Sequence, residues 1–196
     1  LLPHVATRLR RAVPRLKLLL YEYQTAPLLE KMRAGEIDLG ILALPTPLDG
    51  LESADLYEEP FVLAMPANHP LADRERVKID DIRGETLLLL EDGHCLRDQA
   101  LDVCSRVRVH EDQDYRATSL ETLRQMVAAG HGITLLPELA SASPVGTARG
   151  LRVKPFAKPA PARTIGAVWR KSTTRSAAIE AVLATIRAVM QEESKK

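Results

Sequence analysis

Apolar side chains recur at two spacings along the chain, and the two spacings alternate. Leu2, Val5, Ala6, Leu9 and Val13 fall three or four residues apart, which predicts a helix over residues 1–13 that Pro14 ends. Residues 16–22 switch to a period of two, with Leu16, Leu18 and Leu20 on one side, and predict a strand. Pro27 opens a short helix over 28–34, closed by Gly35. The nearly all-apolar run 37–44 predicts a strand buried on both faces. After a loop marked by Pro45, Pro47 and Gly50, residues 52–65 hold two further strands on either side of Pro60. Residues 77–82 predict a short polar helix or 3₁₀ turn that Gly84 ends.

The second half repeats the alternation. Residues 86–90 predict a strand, 91–94 a turn, and 95–104 a helix. Residues 106–110 alternate and form a candidate edge strand. The clearest helix covers 118–129, where Thr118 and Glu121 form a capping-box pattern and Gly130 stops it. Strands follow at 132–136, 151–156 and 163–170, with a loop at 144–150. A final helix over 174–191 leads into a tail over 192–196 that is expected to fray. This alternation predicts an α/β architecture.

Composition narrows the function classes. The 196 residues are 45% hydrophobic and 27% charged, as in soluble globular proteins. Basic and acidic side chains number 27 and 26, so charge gives no reason to infer a nucleic-acid surface. The basic cluster Arg8, Arg10, Arg11, Arg15 and Lys17 reads as an exposed helix face. No apolar run approaches the roughly 20 residues needed to span a bilayer, so no membrane partner is expected. The chain starts at Leu1, not at methionine, and no leader pattern is visible; a fragment or processed chain is expected. Two cysteines without a secretory leader do not make a disulfide framework; they point to a reducing cytoplasm. Zinc-like ligand spacing does not occur, and neither a metal nor another cofactor is expected.

The cysteines are the candidate chemistry. Cys95 follows Gly93-His94 at a strand-to-helix junction, where unpaired amides carry partial positive charge that favours a thiolate. His94 and Arg97 are close in sequence and add to it. Peroxide converts such a thiolate to a sulfenic acid, which a second thiol can turn into a disulfide. Cys104 is the second thiol. Along a continuous helix the two α-carbons stand about 13.5 Å apart on opposite faces, whereas a disulfide needs less than about 7 Å. Either the bond never forms, or its formation unwinds the helix. Inert burial is the alternative for both residues, and Cys104, beside Leu101 and Val103, fits a core position well.

Residues 89–100, LLEDGHCLRDQA, resemble the peroxide-reactive segment of the OxyR family, a branch of the LysR-type transcriptional regulators. Residues 116–137 (RATSLETLRQMVAAGHGITLLP), the AGEID stretch at 34–38 and the RTIG stretch at 163–166 are similar to the same proteins, and the likeness covers essentially the whole chain. It implies two periplasmic-binding-protein-like α/β subdomains: residues 1–60 with 166–196, and residues 61–165 carrying the cysteine pair, with crossings near 59–62 and 164–168. It implies that peroxide oxidises Cys95 (peroxidatic), that Cys104 resolves it as a disulfide, and that Thr25, His94, Asp98 and Arg163 lie around the reactive site, near Arg97. Thr25 would orient peroxide and Asp98 would relay protons or hydrogen-bond. Bland roles compete: a turn cap for His94, a helix N-cap for Thr25, surface charges for Asp98 and Arg163.

The resemblance further implies self-association as a dimer, or a tetramer when full length. DNA and RNA polymerase are met only through the full-length protein, and an external thiol reductant resets the switch. A sensor reacts once per signal, so no enzyme is expected. The family's DNA-binding domain and the first strand of its regulatory domain fall outside the sequence, so a chain extended upstream by one strand is expected to be more stable. Asp114 stands where some relatives carry histidine. Two other classes compete: a domain binding a small-molecule inducer between subdomains, and a thiol peroxidase or disulfide reductase, against which the missing C-x-x-C motif speaks.

Overall fold

A computed structural model describes residues 2–105, 107–141 and 149–193. In chain order the elements are α1 (Leu2–Ala12), α2 (Thr25–Ala34), β1 (Leu39–Leu44), β2 (Leu51–Pro66), a 3₁₀ turn (Ile79–Ile82), β3 (Thr86–Leu90), α3 (Cys95–Cys104), β4 (His110–Ala117), α4 (Leu120–Ala128), β5 (Thr134–Pro137), α5 (Glu138–Ser141), β6 (Leu151–Pro155), β7 (Ala162–Arg170) and α6 (Ser176–Glu193). The α/β alternation read from periodicity is therefore present. The chain divides into two compact units, Leu1–Glu58 with Thr164–Lys196, and Glu59–Arg163.

In the first unit β1 runs antiparallel to β7, with Leu39 opposite Trp169 and Leu44 opposite Thr164. Leu29 and Met32 of α2 pack with Leu42, Leu51 and Val168. Gly35 ends α2 at φ 84°, its amide donating to the Met32 carbonyl at 3.1 Å. Arg170 donates to the carbonyls of Met32 and Ile37 at 2.7 and 2.9 Å, tying the end of β7 to the last turn of α2 and to the loop between α2 and β1. The alternating residues 16–22 form no strand. A strand needs a neighbour to take its amides and carbonyls, and none pairs with this segment among the described residues. It borders an apolar cavity of about 490 Å³ lined also by Val5, Leu9, Ile41 and Ile179, and Leu19, Leu20 and Tyr21 stay exposed. For the same reason β1 is not buried on both faces: Leu39 and Ile41 line that cavity and are half-buried.

In the second unit the distal part of β2 pairs antiparallel with β5 and with β6. β3 runs parallel to β4, and Leu88 and Ile133 are joined by a backbone hydrogen bond of 2.8 Å. Gly132 is required here, because a Cβ would stand 2.5 Å from the Thr86 carbonyl oxygen. The core is continuous from Phe61 and Leu63 through Leu87, Leu88 and Leu89 to Leu123, Val127 and Phe156, all nearly inaccessible.

Three further expectations need correction. Residues 52–65 lie within one sixteen-residue strand, Leu51–Pro66, not two. Pro60 lacks an N–H, but Phe61 beside it donates to the Pro161 carbonyl at 2.8 Å, so the ladder resumes at once. The strand expected at 106–110 lies at His110–Ala117 instead, and Arg106 is outside the described residues. The cap of α4 is Ser119, not Thr118: the Ser119 hydroxyl accepts the Thr122 amide at 3.2 Å. The expected loop at 144–150 and tail at 192–196 fall largely outside the described residues.

Candidate functional site

The site is built around α3. β3 ends in Glu91-Asp92-Gly93-His94, and Gly93 adopts φ 92°, a conformation that suits glycine and reverses the chain. α3 then starts at Cys95. Leu96, Ala100 and Cys104, four residues apart, form its buried stripe against the core.

Cys95 is the first residue of α3 and is half-buried; Cys104 is the last and only 2% exposed; both are free thiols. Nine residues of helix separate them by about 13.5 Å along the axis and by half a turn around it. Burial pushes the Cys104 thiol up to about 11 from its ordinary 9.0, so at neutral pH it is protonated. Of the two, only Cys95 combines partial exposure with the amide-rich end of a helix.

Charges hold this helix from two sides. Arg97, 8% exposed, donates from Nη2 to Glu111 Oε1 of β4 at 2.7 Å and from Nε to Asp92 Oδ1 of the preceding turn at 2.9 Å. Arg116 closes the ring, 2.8 Å from Asp92 Oδ2 and 3.6 Å from Glu111 Oε1. Burial works against the charge on Arg97, but the hydrogen bond and charge of Glu111, and then those of Asp92, outweigh it and hold the guanidinium above the ordinary arginine range. On the other side Arg163 donates from Nη1 to Gln99 Oε1 at 3.2 Å. Its Nε and Nη2 both donate to Glu59 Oε2, at 2.9 and 2.7 Å.

Of the residues singled out by sequence, Cys95, His94, Arg97, Asp98 and Cys104 share α3 and its entry turn, and Arg163 joins them through Gln99. His94 occupies the N-cap position without a side-chain cap bond, and Asp98 is exposed in the first turn. Thr25 belongs to the other unit, as the first residue of α2; the N-cap there is Gln24, so Thr25 does not cap. Glu59, Gln99 and Glu111 were not singled out. Glu59 is buried in a strand whose other buried residues are apolar, which the fold reveals and the sequence does not. The described residues hold no cluster of three or more metal-ligating side chains, and no helix long and apolar enough to cross a membrane.

Comparison with known proteins places these features in context. Residues 1–191 match the model of the LysR substrate binding domain. The chain is 46% identical over 190 residues to the DNA-binding transcriptional dual regulator OxyR of Escherichia coli, covering 97% of this chain and 62% of that protein. It is similar to the crystal structure of the oxidized form of OxyR (46% identity, TM-score 0.85, 97% of this chain and 90% of that one). It is equally similar to that of the reduced form (44%, TM-score 0.85, 97% and 89%). The chain thus spans less than two thirds of the length of the curated relative.

Proposed function

The chain belongs to the LysR substrate binding domain family, and on that premise we propose that it is a hydrogen-peroxide-sensing regulatory domain switched by reversible disulfide formation between Cys95 and Cys104. One observation carries the reading: a half-buried thiol at the amide-rich start of α3 and a buried, protonated thiol at its far end, too distant to bond while the helix stands.

The chemistry divides in two. The Cys95 thiolate attacks one peroxide oxygen, the O–O bond breaks, and the departing hydroxide takes a proton to leave as water; sulfur is left as sulfenic acid. The Cys104 thiol then attacks that sulfur, expelling the hydroxyl as a second water and forming the S–S bond. The second step requires α3 to unwind and Cys104 to leave the core, so the chemistry drives a change of fold. His94 immediately precedes Cys95 at the start of α3, Arg97 fixes the first turn through Asp92 and Glu111, Asp98 offers a carboxylate for hydrogen bonding or proton relay in the same turn, and Arg163 reaches α3 through Gln99.

The oxidised domain changes how copies of the protein assemble on DNA. Its partners are peroxide, further copies of itself, and an external thiol reductant in the cytoplasm; DNA and RNA polymerase are engaged by the full-length protein. It turns over no substrate.

The test is mass spectrometry of the reduced chain after brief exposure to low peroxide, with Cys104→Ser as control. The expected result is loss of two hydrogens and a Cys95–Cys104 linked peptide that the control lacks. Two free thiols after that exposure would sink the proposal and favour a domain that binds a small-molecule inducer.

A further inference from the structure

Glu59 carries a buried carboxylate that the switch chemistry does not use. It is 4% exposed, near the middle of β2, in a segment that continues as Phe61, Val62 and Leu63. An uncompensated charge there would be costly. Arg163 compensates it in an unusual way: Nε and Nη2 both donate to the one oxygen Oε2. This fixes the guanidinium plane, whose central carbon stands 6.0 Å from the centre of the Phe61 ring. The remaining nitrogen, Nη1, points to α3 and donates to Gln99.

Gln99 follows Cys95 by four residues, and residues four apart on a helix are surface neighbours, with Cβ atoms about 6 Å apart. The guanidinium that bonds Gln99 therefore borders the face of α3 that carries Cys95. Its charge reaches that face reduced by the carboxylate behind it. We propose that Glu59 is a positioning residue that sets, through Arg163, how much positive charge Cys95 meets. The proposal rests on the reading of Cys95 as the reactive thiol. Glu59 keeps Nη1 directed at α3 and offsets part of the guanidinium charge, so the site attracts an anionic sulfur without holding a full unpaired cation beside it.

The experiment compares alkylation of Cys95 in the reduced chain by iodoacetate, an anion, and by neutral iodoacetamide at one pH, with the Cys95 peptide quantified by mass spectrometry. The ratio of the two rates reads local charge and cancels changes in exposure or thiolate fraction. Glu59→Gln keeps the side-chain shape and removes the offset, so the ratio rises roughly threefold; Arg163→Gln lowers it roughly threefold. In the Arg163→Gln background the same Glu59→Gln change raises the ratio by less than it does in the wild type, because the part of the effect that passes through Arg163 is lost and only the direct charge of Glu59 remains. Glu59→Asp, which keeps the charge one methylene further away, gives a smaller rise and carries the test if Glu59→Gln melts too low to be folded. A ratio that Glu59 substitutions leave unmoved while Arg163→Gln moves it, or that they move equally in both Arg163 backgrounds, overturns the proposal. Peroxide treatment of the wild-type chain is run in parallel: an unreacted Cys95 there would defeat the sensing reading, while the alkylation ratios would still decide the role of Glu59.

Discussion

α3 and α4 pack on the same strand, β3, in the same unit, and they are helices for different reasons. α4 carries its own instructions. Ser119 caps its start, Gln125 bonds Glu121 one turn back at 2.8 Å, Gly130 follows at φ 92°, and Leu123 and Val127 are buried to 1% and 0% exposure. α3 has few such features. His94 makes no cap bond, and the buried stripe of α3 is Leu96, Ala100 and Cys104, with less apolar volume than a stripe of leucine and valine. Contacts from outside fix it: Asp92 and Glu111 on Arg97, and Arg163 on Gln99. A helix specified by its own sequence resists local change, whereas one held by a few outside charges can be released when those contacts go. The segment proposed to switch is of the second kind.

The largest expected effect is on the self-specified helix. Leu123→Ala removes a nearly inaccessible side chain from the shared core and should cost about 2–5 kcal/mol of the unit's stability. Urea unfolding followed by circular dichroism measures it, and hydrogen exchange should show α3, α4 and β3 losing protection together. Loss confined to α4 would mean that the two helices do not share a core.

Alkaline pH acts next, and from the α3 side. Below pH 9 the Cys104 thiol is neutral in both folded and unfolded chains and burial costs nothing. Between pH 9 and about 11 the unfolded thiol ionises while the folded one does not, so stability falls as pH rises. The two-unit difference corresponds to about 2–3 kcal/mol once pH exceeds 11. Melting of the wild-type chain against Cys104→Ala across this window isolates the contribution: the wild type should decline more steeply. Parallel declines would mean that Cys104 is not shielded as its burial implies.

Glu111→Gln sharpens the comparison. It removes the carboxylate on which Arg97 places its shortest bond and leaves a buried guanidinium with Asp92 alone, at a cost of about 2 kcal/mol. Because the contact lies outside α3, amides of residues 95–104 should lose hydrogen-exchange protection while those of 120–128 keep theirs. The sulfenic-acid-to-disulfide step should quicken, since the helix opens more often. Equal loss in both helices would break the distinction.

The same distinction explains what could be read from sequence. α3, α4 and the buried strand β3 were legible because their signals are local: Asp92-Gly93 as a turn, apolar residues three and four apart, four leucines in a row. β4 was not, because HEDQDYRA carries no apolar alternation and becomes a strand only by pairing with β3. Residues 16–22 failed in the opposite sense, with a strand pattern and no partner. Within the site, Cys95 and its sequence neighbours were legible. Glu111 lies 14 residues from Arg97, and Glu59 lies 104 from Arg163, and no periodicity links positions so far apart.

The smallest expected effect tests the caps themselves. Ser119→Ala removes the hydroxyl that accepts the Thr122 amide and should cost about 1 kcal/mol. His94→Ala occupies the equivalent position of α3, where no side-chain bond exists to lose, and should leave the melting temperature within experimental error. Its effect should appear instead in the rate at which peroxide oxidises Cys95, because the side chain that immediately precedes Cys95 in the chain is removed. A destabilisation by His94→Ala as large as that by Ser119→Ala would show that α3 is capped in solution after all, and the contrast between the two helices would then rest on their outside charges alone.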